Sequence, residues 1–252
     1  MASRAERSGS FGAIAEDYDR LRPRPADEAV DWLVPAGCQV AVDVAAGTGL
    51  LTRALAARVP EVIAVEPDER MRAVLAERTP EVRALAGYGE SIPLSDESAD
   101  AVFVSSAWHW MDEPRAIPEI ARVLRPGGRF GLIWTSRDRE VEWVRELDPL
   151  RSAETQEPRE EVAAQRHRHR TINFPDDGSF HDVATASFGY TREMSIDDLV
   201  GSLGTYSGLI TATEAERRAG LGRARAAIEG RFPGAETIGV PIRSWCWRAE
   251  RI

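Results

Sequence analysis

The chain has 252 residues, with 32 basic positions against 41 acidic ones and a formal net charge of −9. Every basic residue other than the histidines is an arginine, so chemistry through a phosphate-loop lysine, a Schiff-base lysine or the lysine of a kinase nucleotide site is excluded. Nucleic acid is a poor partner for this acidic chain. Its one basic run, Arg166, His167, Arg168, His169 and Arg170, is short, is flanked by Glu157, Glu160 and Glu161, and reads as a solvated face.

In chain order, Met1 to Ser10 is polar and does not read as a secretory segment. Phe11 to Val34 predicts two helices split by the breaker Arg22-Pro23-Arg24-Pro25. From Gln39 to Trp134 short apolar β-branched runs alternate with amphipathic segments, the mark of consecutive βα units on a parallel sheet. The predicted strands are Val40–Val44, Val62–Val65, Val82–Leu85, Ala101–Val104 and Arg129–Trp134. The predicted helices between them are Leu50–Arg58, Asp68–Arg78 and Pro114–Leu124. Each presents one apolar face, such as Met71, Val74 and Leu75 or Ile117, Ile120 and Val123. An Arg- and Glu-rich tract, Arg137 to Arg170, then reads as an insertion, after which strands return at Ala186–Met194 and Ile238–Trp247 with helices at Ile196–Leu203 and Thr213–Phe232 between them. The fold class expected is α/β.

The length suits one domain with an insertion or two small domains, and 43% apolar residues can fill a core. Cys38 and Cys246 make no disulfide or metal-ligand framework, and His167, His169 and His181 have no metal-binding spacing, so no metal is expected. No run approaches the roughly 20 apolar residues of a membrane helix. These features predict a soluble cytoplasmic protein with no membrane partner.

The strongest chemical signal is Val42-Asp43-Val44-Ala45-Ala46-Gly47-Thr48-Gly49-Leu50, a strand entering a glycine turn that opens a helix. Glycines there let a ligand approach the backbone. Glu66 ends the next strand, at a spacing from Gly47 that suits an acidic group reaching a ribose hydroxyl pair. Strand rhythm, turn and acid together point to an adenosine-type ligand at the carboxyl edge of the sheet. A dinucleotide fits less well. Thr52 stands where the third glycine of a dinucleotide fingerprint belongs, and Asp43 would repel a pyrophosphate but attract a cation.

These residues resemble the class I S-adenosylmethionine-dependent methyltransferases, and within them the bacterial small-molecule, type 11-like branch. The resemblance rests on Asp43 to Gly49, Val65-Glu66-Pro67, Glu90 to Leu94, Ala107-Trp108-His109-Trp110, Arg122 to Gly128 and Trp134 to Asp138, in that order. It implies a Rossmann-like doubly wound seven-stranded sheet, mostly parallel with an antiparallel last strand, plus a helical cap insertion. The expected partition is lid helices over 1–36, a cofactor-binding core over 37–136, a cap over 137–185 and completing strands and helices over 186–252.

The resemblance implies S-adenosylmethionine as cofactor and a small-molecule methyl acceptor as partner. It sets the methionine end against Asp43, Ala45 and Gly47, with Thr48, Gly49, Ser105 and Ala107 nearby, and the ribose against Glu66. Adenine is expected against Pro67, Met71, Gly89 and Glu90. Ala45 stands where the first glycine of the turn is usual, a replacement that is tolerable if the residue keeps a negative φ. Tyr88 stands where relatives carry an aspartate, so stacking on Tyr88 is one route to adenine. Tyr18 and Arg22, on a helix read as a lid, are candidates for the cofactor carboxylate; the other reading of that helix is simple packing on the sheet.

An in-line methyl transfer asks chiefly for an acceptor held close in a dry pocket. His109, at a predicted strand end, is the candidate general base where the acceptor must lose a proton; the alternative is a fixed wall residue. Trp108, His109, Trp110, Trp134 and Trp143 are the candidates for an aromatic acceptor pocket. Two other readings remain open at this point: use of the cofactor for a non-methylating reaction such as cyclisation, and a nicotinamide-dependent oxidoreductase, against which Thr52 and Asp43 argue.

Overall fold

The computed structural model describes residues 11–150 and 178–252. They gather into two compact units, one of residues 24–135, 178–188 and 244–252, the other of 11–23, 136–150 and 189–243. The basic run 166–170 and most of the tract read as a cap lie outside the described residues.

Seven strands make one sheet: β1 (Val40–Val44), β2 (Glu61–Val65), β3 (Arg83–Leu85), β4 (Ala99–Ser105), β5 (Leu124–Arg137), β6 (Phe180–Ser195) and β7 (Thr237–Arg251), in the order β3-β2-β1-β4-β5-β7-β6. β1 pairs in parallel with β2 and with β4, β2 with β3, and β4 with β5. β7 runs antiparallel between β5 and β6. Arg129 on β5 meets Glu250, whereas Thr135, further along β5, bonds Ser244 at 2.9 Å, so the numbering falls on β7 as it rises on β5. The doubly wound, mostly parallel sheet with an antiparallel last strand is therefore the fold of this chain.

The first unit shows why the apolar runs became inner strands. β1 is buried from Ala41 to Val44 and β2 from Val62 to Val65, with helices over both faces of the sheet. Helix α1 (Ala15–Leu21) belongs to the second unit; the first holds α2 (Asp27–Leu33), α3 (Leu50–Ala56), α4 (Glu69–Arg78) and α5 (Glu113–Val123). α4 buries Met71, Val74 and Leu75, and α5 buries Ala116, Ile117, Ile120 and Val123, the faces expected from their spacing. Phe130, Leu132 and Val104 pack with the α5 face, each fully buried and each worth about 1.5–3 kcal/mol. Asp68 caps α4 by accepting from Arg70 N at 2.9 Å.

The second unit collects α1, α6 (Glu142–Leu150), α7 (Ile196–Leu203) and α8 (Glu214–Arg231) around Leu199, Val200, Ile228, Val240 and Ile242. Ser195 caps α7, and Thr213 with Glu216 forms a capping box on α8.

Two strand boundaries differ most from those expected. β5 starts at Leu124 rather than Arg129, so the Pro126-Gly127-Gly128 segment lies within a strand instead of before it. A Cβ on Gly128 would sit 2.7 Å from Arg125 O and 3.1 Å from Asp100 O, a backbone approach that only glycine allows. β6 starts at Phe180 rather than Ala186. Its residues 181–193 are exposed or half-buried throughout, so they lack the apolar run by which inner strands are recognised.

Candidate functional site

The parallel register aligns the carboxyl ends of β1, β2, β3 and β4: Val44 pairs with both Val65 and Val104, and Val65 with Leu85. The winding of the strand order reverses between the parallel neighbours β1 and β4, and the crevice beyond such a switch point is where open α/β sheets bind ligands. The segments that leave these strand ends carry Asp43 to Gly49, Glu66 to Met71, Tyr88 to Glu90 and Ser105 to Trp110. All belong to the first unit.

The turn after β1 holds three left-handed positions: Ala45 has φ 55°, Gly47 φ 60° and Gly49 φ 86°. Ala45 thus does not meet the condition of a negative φ under which its replacement of glycine is strain-free. Ala45 keeps the conformation of the glycine it stands in for, and its methyl group carries the strain of that region. The turn is tied back by Ala46 N donating to Val65 O at 3.2 Å and by Gly49 N donating to Ala46 O at 3.0 Å. Gly49 caps α3, and a Cβ there would come within 3.0 Å of Leu75.

Two carboxylates flank this turn. Asp43 is fully buried; its Oδ2 accepts from Thr52 Oγ1 at 2.6 Å, while Oδ1 is buried with no hydrogen-bond partner. Burial pushes its carboxyl up to about 7, the Thr52 hydroxyl works against that rise, and the nearby Glu66 charge adds to it. Thr52, which from the sequence only argued against a dinucleotide, is the residue that holds Asp43. Thr48 Oγ1 is also buried without a partner. Glu66, 7% exposed, accepts from Gly47 N at 2.8 Å through one oxygen and from Asp68 N at 2.9 Å through the other. It therefore locks the turn, and each oxygen retains a lone pair for a hydroxyl donor. Burial raises its pKa, with the two backbone donors opposing the rise.

Met71 is buried under the turn, its Cε 3.9 Å from where a Cβ of Gly47 would lie, and Arg72 braces the Glu66 and Pro67 carbonyls at 2.8 and 3.3 Å. Gly89 is buried, and a Cβ there would lie 2.6 Å from Met111 Sδ. Glu90 accepts from Asp112 N at 2.6 Å, so its carboxylate fixes the start of α5. Tyr88 is 63% exposed, with its backbone bridged to Ser91. The ring is thus presented beside Gly89, while the backbone N–H and C=O are engaged by Ser91.

After β4, Ser106 has φ 54° and Trp108–Trp110 form a single 3₁₀ turn. Trp108 is buried against Phe130, ring centroids 5.4 Å apart, with its Nε1 lacking a hydrogen-bond partner. His109 lies 4.4 Å from the Trp110 ring and 6.3 Å from that of Trp134, which in turn meets Trp247 edge-on at 5.7 Å. These residues form one aromatic group with the imidazole in its middle.

Tyr18, Arg22 and Trp143 belong to the second unit. There Arg22 donates to Thr205 O at 2.9 Å and lies 5.0 Å from the Tyr18 ring, while Trp143 packs edge-on against Phe232 at 5.2 Å. Among the described residues no three or more His, Cys, Asp or Glu side chains are grouped to hold a metal, and no helix is long and apolar enough to cross a membrane.

The methyltransferase domain family matches residues 42–132, the span that carries the turn, both carboxylates and Trp108 to Trp110. An uncharacterized methyltransferase of Mycobacterium tuberculosis is 44% identical over 203 residues, 77% of this chain and 83% of that protein. A solved structure from Anaeromyxobacter dehalogenans, assigned as a type II methyltransferase, superposes with a TM-score of 0.67 at 26% identity, covering 91% of this chain and 97% of the other. The Haemonchus contortus phosphoethanolamine N-methyltransferase 2, bound to phosphomonomethylethanolamine and S-adenosylhomocysteine, shares the fold with a TM-score of 0.53 at 13% identity, over all of this chain and 60% of that one. Sheet, glycine turn and relatives agree: the chain belongs to the class I S-adenosylmethionine-dependent methyltransferases of the type 11 family and is an enzyme.

Proposed function

We propose that the methyl acceptor is a small organic molecule, and that Asp43, Thr48, Glu66 and the backbone from Ala45 to Gly49 hold the donor. The observation that carries this is the pair of buried, unpartnered oxygens at the turn, Asp43 Oδ1 and Thr48 Oγ1, beside a second carboxylate. Such a site is costly until a donor-rich, positively charged group enters it, and the ammonium and sulfonium of S-adenosylmethionine meet that need. Bound there, the cofactor supplies an electrophilic methyl group to a nucleophilic atom of the acceptor.

The chain's own residues do the rest. Glu66 offers its free lone pairs to the ribose hydroxyls, and Met71, Gly89 and Tyr88 line the adenine. The aromatic group of Trp108, Trp110 and Trp134 keeps water from the reacting atoms and gives a flat or apolar acceptor a surface to lie on. His109 takes the acceptor proton where one has to leave.

Calorimetry with S-adenosylhomocysteine, followed by a small-molecule screen for its release from S-adenosylmethionine, tests this reading. Micromolar binding and turnover on a small acceptor are expected. Replacing His109 by Ala is expected to cut turnover at least a hundredfold while donor affinity stays within threefold. Stabilisation by NADH with none by S-adenosylhomocysteine would overturn the donor assignment, and full activity of His109→Ala would return that residue to a wall role.

A further inference from the structure

Thr52 is buried on α3, and its hydroxyl does not take the ordinary partner of a helical threonine. Thr79, closing α4, shows that ordinary course: its Oγ1 donates to Leu75 O at 2.6 Å, one turn back in its own helix. Thr52 Oγ1 leaves its helix instead and donates to Asp43 Oδ2 at 2.6 Å. A β-branched side chain has few rotamers in a helix, so the hydroxyl is held where it stands. Both residues are fully buried, and bulk solvent offers no substitute for it.

The other neighbours of Asp43 do not favour its charge. Its strand partners are Ala64 on β2 and Phe103 on β4, both uncharged, and Glu66 at the end of β2 has the same sign. Burial pushes the carboxyl up, the Thr52 hydroxyl is the largest influence against that rise, Glu66 adds to it, and the Thr52 backbone amide opposes it. Asp43 Oδ1 is already buried without a partner. Replacing the hydroxyl by a methyl group would orphan Oδ2 as well, and a carboxylate buried with neither oxygen bonded takes up a proton.

The protonation of this carboxyl bears on which form of the cofactor stays bound. The sulfur is positively charged before methyl transfer and neutral after it. An ionised Asp43 favours donor over product by charge; a protonated Asp43 loses that preference.

We infer that Thr52 is a positioning residue that sets the preference of the site for S-adenosylmethionine over S-adenosylhomocysteine, holding Asp43 by one oxygen and leaving the other for the donor. This rests on the reading that Asp43 meets the donor's positive charge, and it adds that Thr52 governs the exchange of spent product for fresh donor.

The test is the ratio of S-adenosylmethionine to S-adenosylhomocysteine affinity, measured by calorimetry on the full chain from pH 6 to pH 9. Thr52→Val keeps the shape and loses the hydroxyl. It is expected to lower the ratio about threefold at pH 7 and to move its rise with pH upward by about one unit or more. Thr52→Ser, which restores the donor, is expected to return the ratio to within about twofold of the unaltered chain. In an Asp43→Asn background Thr52→Val is expected to leave the ratio unchanged, because the residue acts through Asp43. Thr52→Cys, a weaker donor, gives the same comparison with an intermediate shift should Thr52→Val not fold.

A ratio that follows the unaltered chain at every pH in Thr52→Val or Thr52→Cys overturns the inference. So does an equal loss of both ligands at every pH, the result of a merely structural role. If Asp43→Asn lowers the ratio and loss of the Thr52 hydroxyl does not, the inference alone fails. If Asp43→Asn leaves the ratio as it was, the reading of Asp43 fails and the inference with it.

Discussion

At the glycine turn of the first unit the buried groups left without partners are oxygens, Asp43 Oδ1 and Thr48 Oγ1; in the second unit the corresponding group is a nitrogen, Arg22 Nε. The first set is shaped by backbone, with three left-handed positions bringing amides and carboxylates into one turn. The second is shaped by side chains alone, through two arginines and a tyrosine drawn from distant parts of the sequence. A burial cost that goes uncompensated in the free chain is largest where the orphaned group is a carboxylate, as at Asp43.

The sharpest way to break this comparison is to delete one side of it. Asp43→Ala removes a buried carboxylate facing a cation, an interaction worth about 1.5–3 kcal/mol, so S-adenosylmethionine affinity is expected to fall tenfold to a hundredfold by calorimetry. An unchanged affinity would detach Asp43 from the donor.

A second effect of similar kind comes from pH. The Asp43 carboxyl rises from 3.8 to about 7 in the folded chain. Between those values the native state holds a proton that the unfolded state releases, so this group makes folding stability decline as pH climbs from about 4 to about 7. A cationic donor favours the ionised form. The affinity ratio of S-adenosylmethionine to the neutral-sulfur S-adenosylhomocysteine is therefore expected to grow by up to about tenfold between pH 6 and 8. Asp43→Asn is expected to flatten that ratio, and a flat ratio in the unaltered chain would detach Asp43 from the sulfonium.

The smallest expected effect tests the strain in the turn. Ala45→Gly removes the methyl group at φ 55° and is expected to stabilise the fold by about 0.5–1 kcal/mol, read as a rise in urea midpoint. Donor affinity should change less than threefold. A drop in stability would mean that Ala45 is not strained.

Local features of this molecule could be read in its sequence, and long-range ones could not. β1, the glycine turn, Glu66 and the faces of α4 and α5 announce themselves through apolar runs, glycine spacing and helical periodicity, all of which act over a few residues. The left-handed Ala45 did not, because alanine ordinarily avoids that region and the ties that hold the turn, from Ala46 N to Val65 O and from Gly47 N to Glu66, are long-range. The hydrogen bond from Thr52 to Asp43 was similarly hidden. A threonine inside a helix pattern gives no sign of what lies one turn of chain behind it. Arg22, Arg137 and Tyr206 meet only through tertiary packing. One local signal was available: Arg22 opens the Arg-Pro-Arg-Pro breaker and so stands at a helix end. The first half of β6 was missed for a different reason, since a strand with no buried residue between its ends shows no alternation strong enough to mark its start.

The order of the sheet sets a schedule for folding on the ribosome. β7 is synthesised after β5 and β6 yet lies between them. β5 and β6 consequently leave their facing edges open until Thr237–Arg251 has emerged, and the pairings that close the gap, Arg129 to Glu250 and Ile252 to Ser179, join residues far apart in the chain. The β1 to β4 pairing, with the glycine turn beside it, is already complete by Ser105. The nascent chain can therefore present a formed glycine turn while half of its sheet still waits for its middle strand, an interval in which a chaperone would have the most to protect.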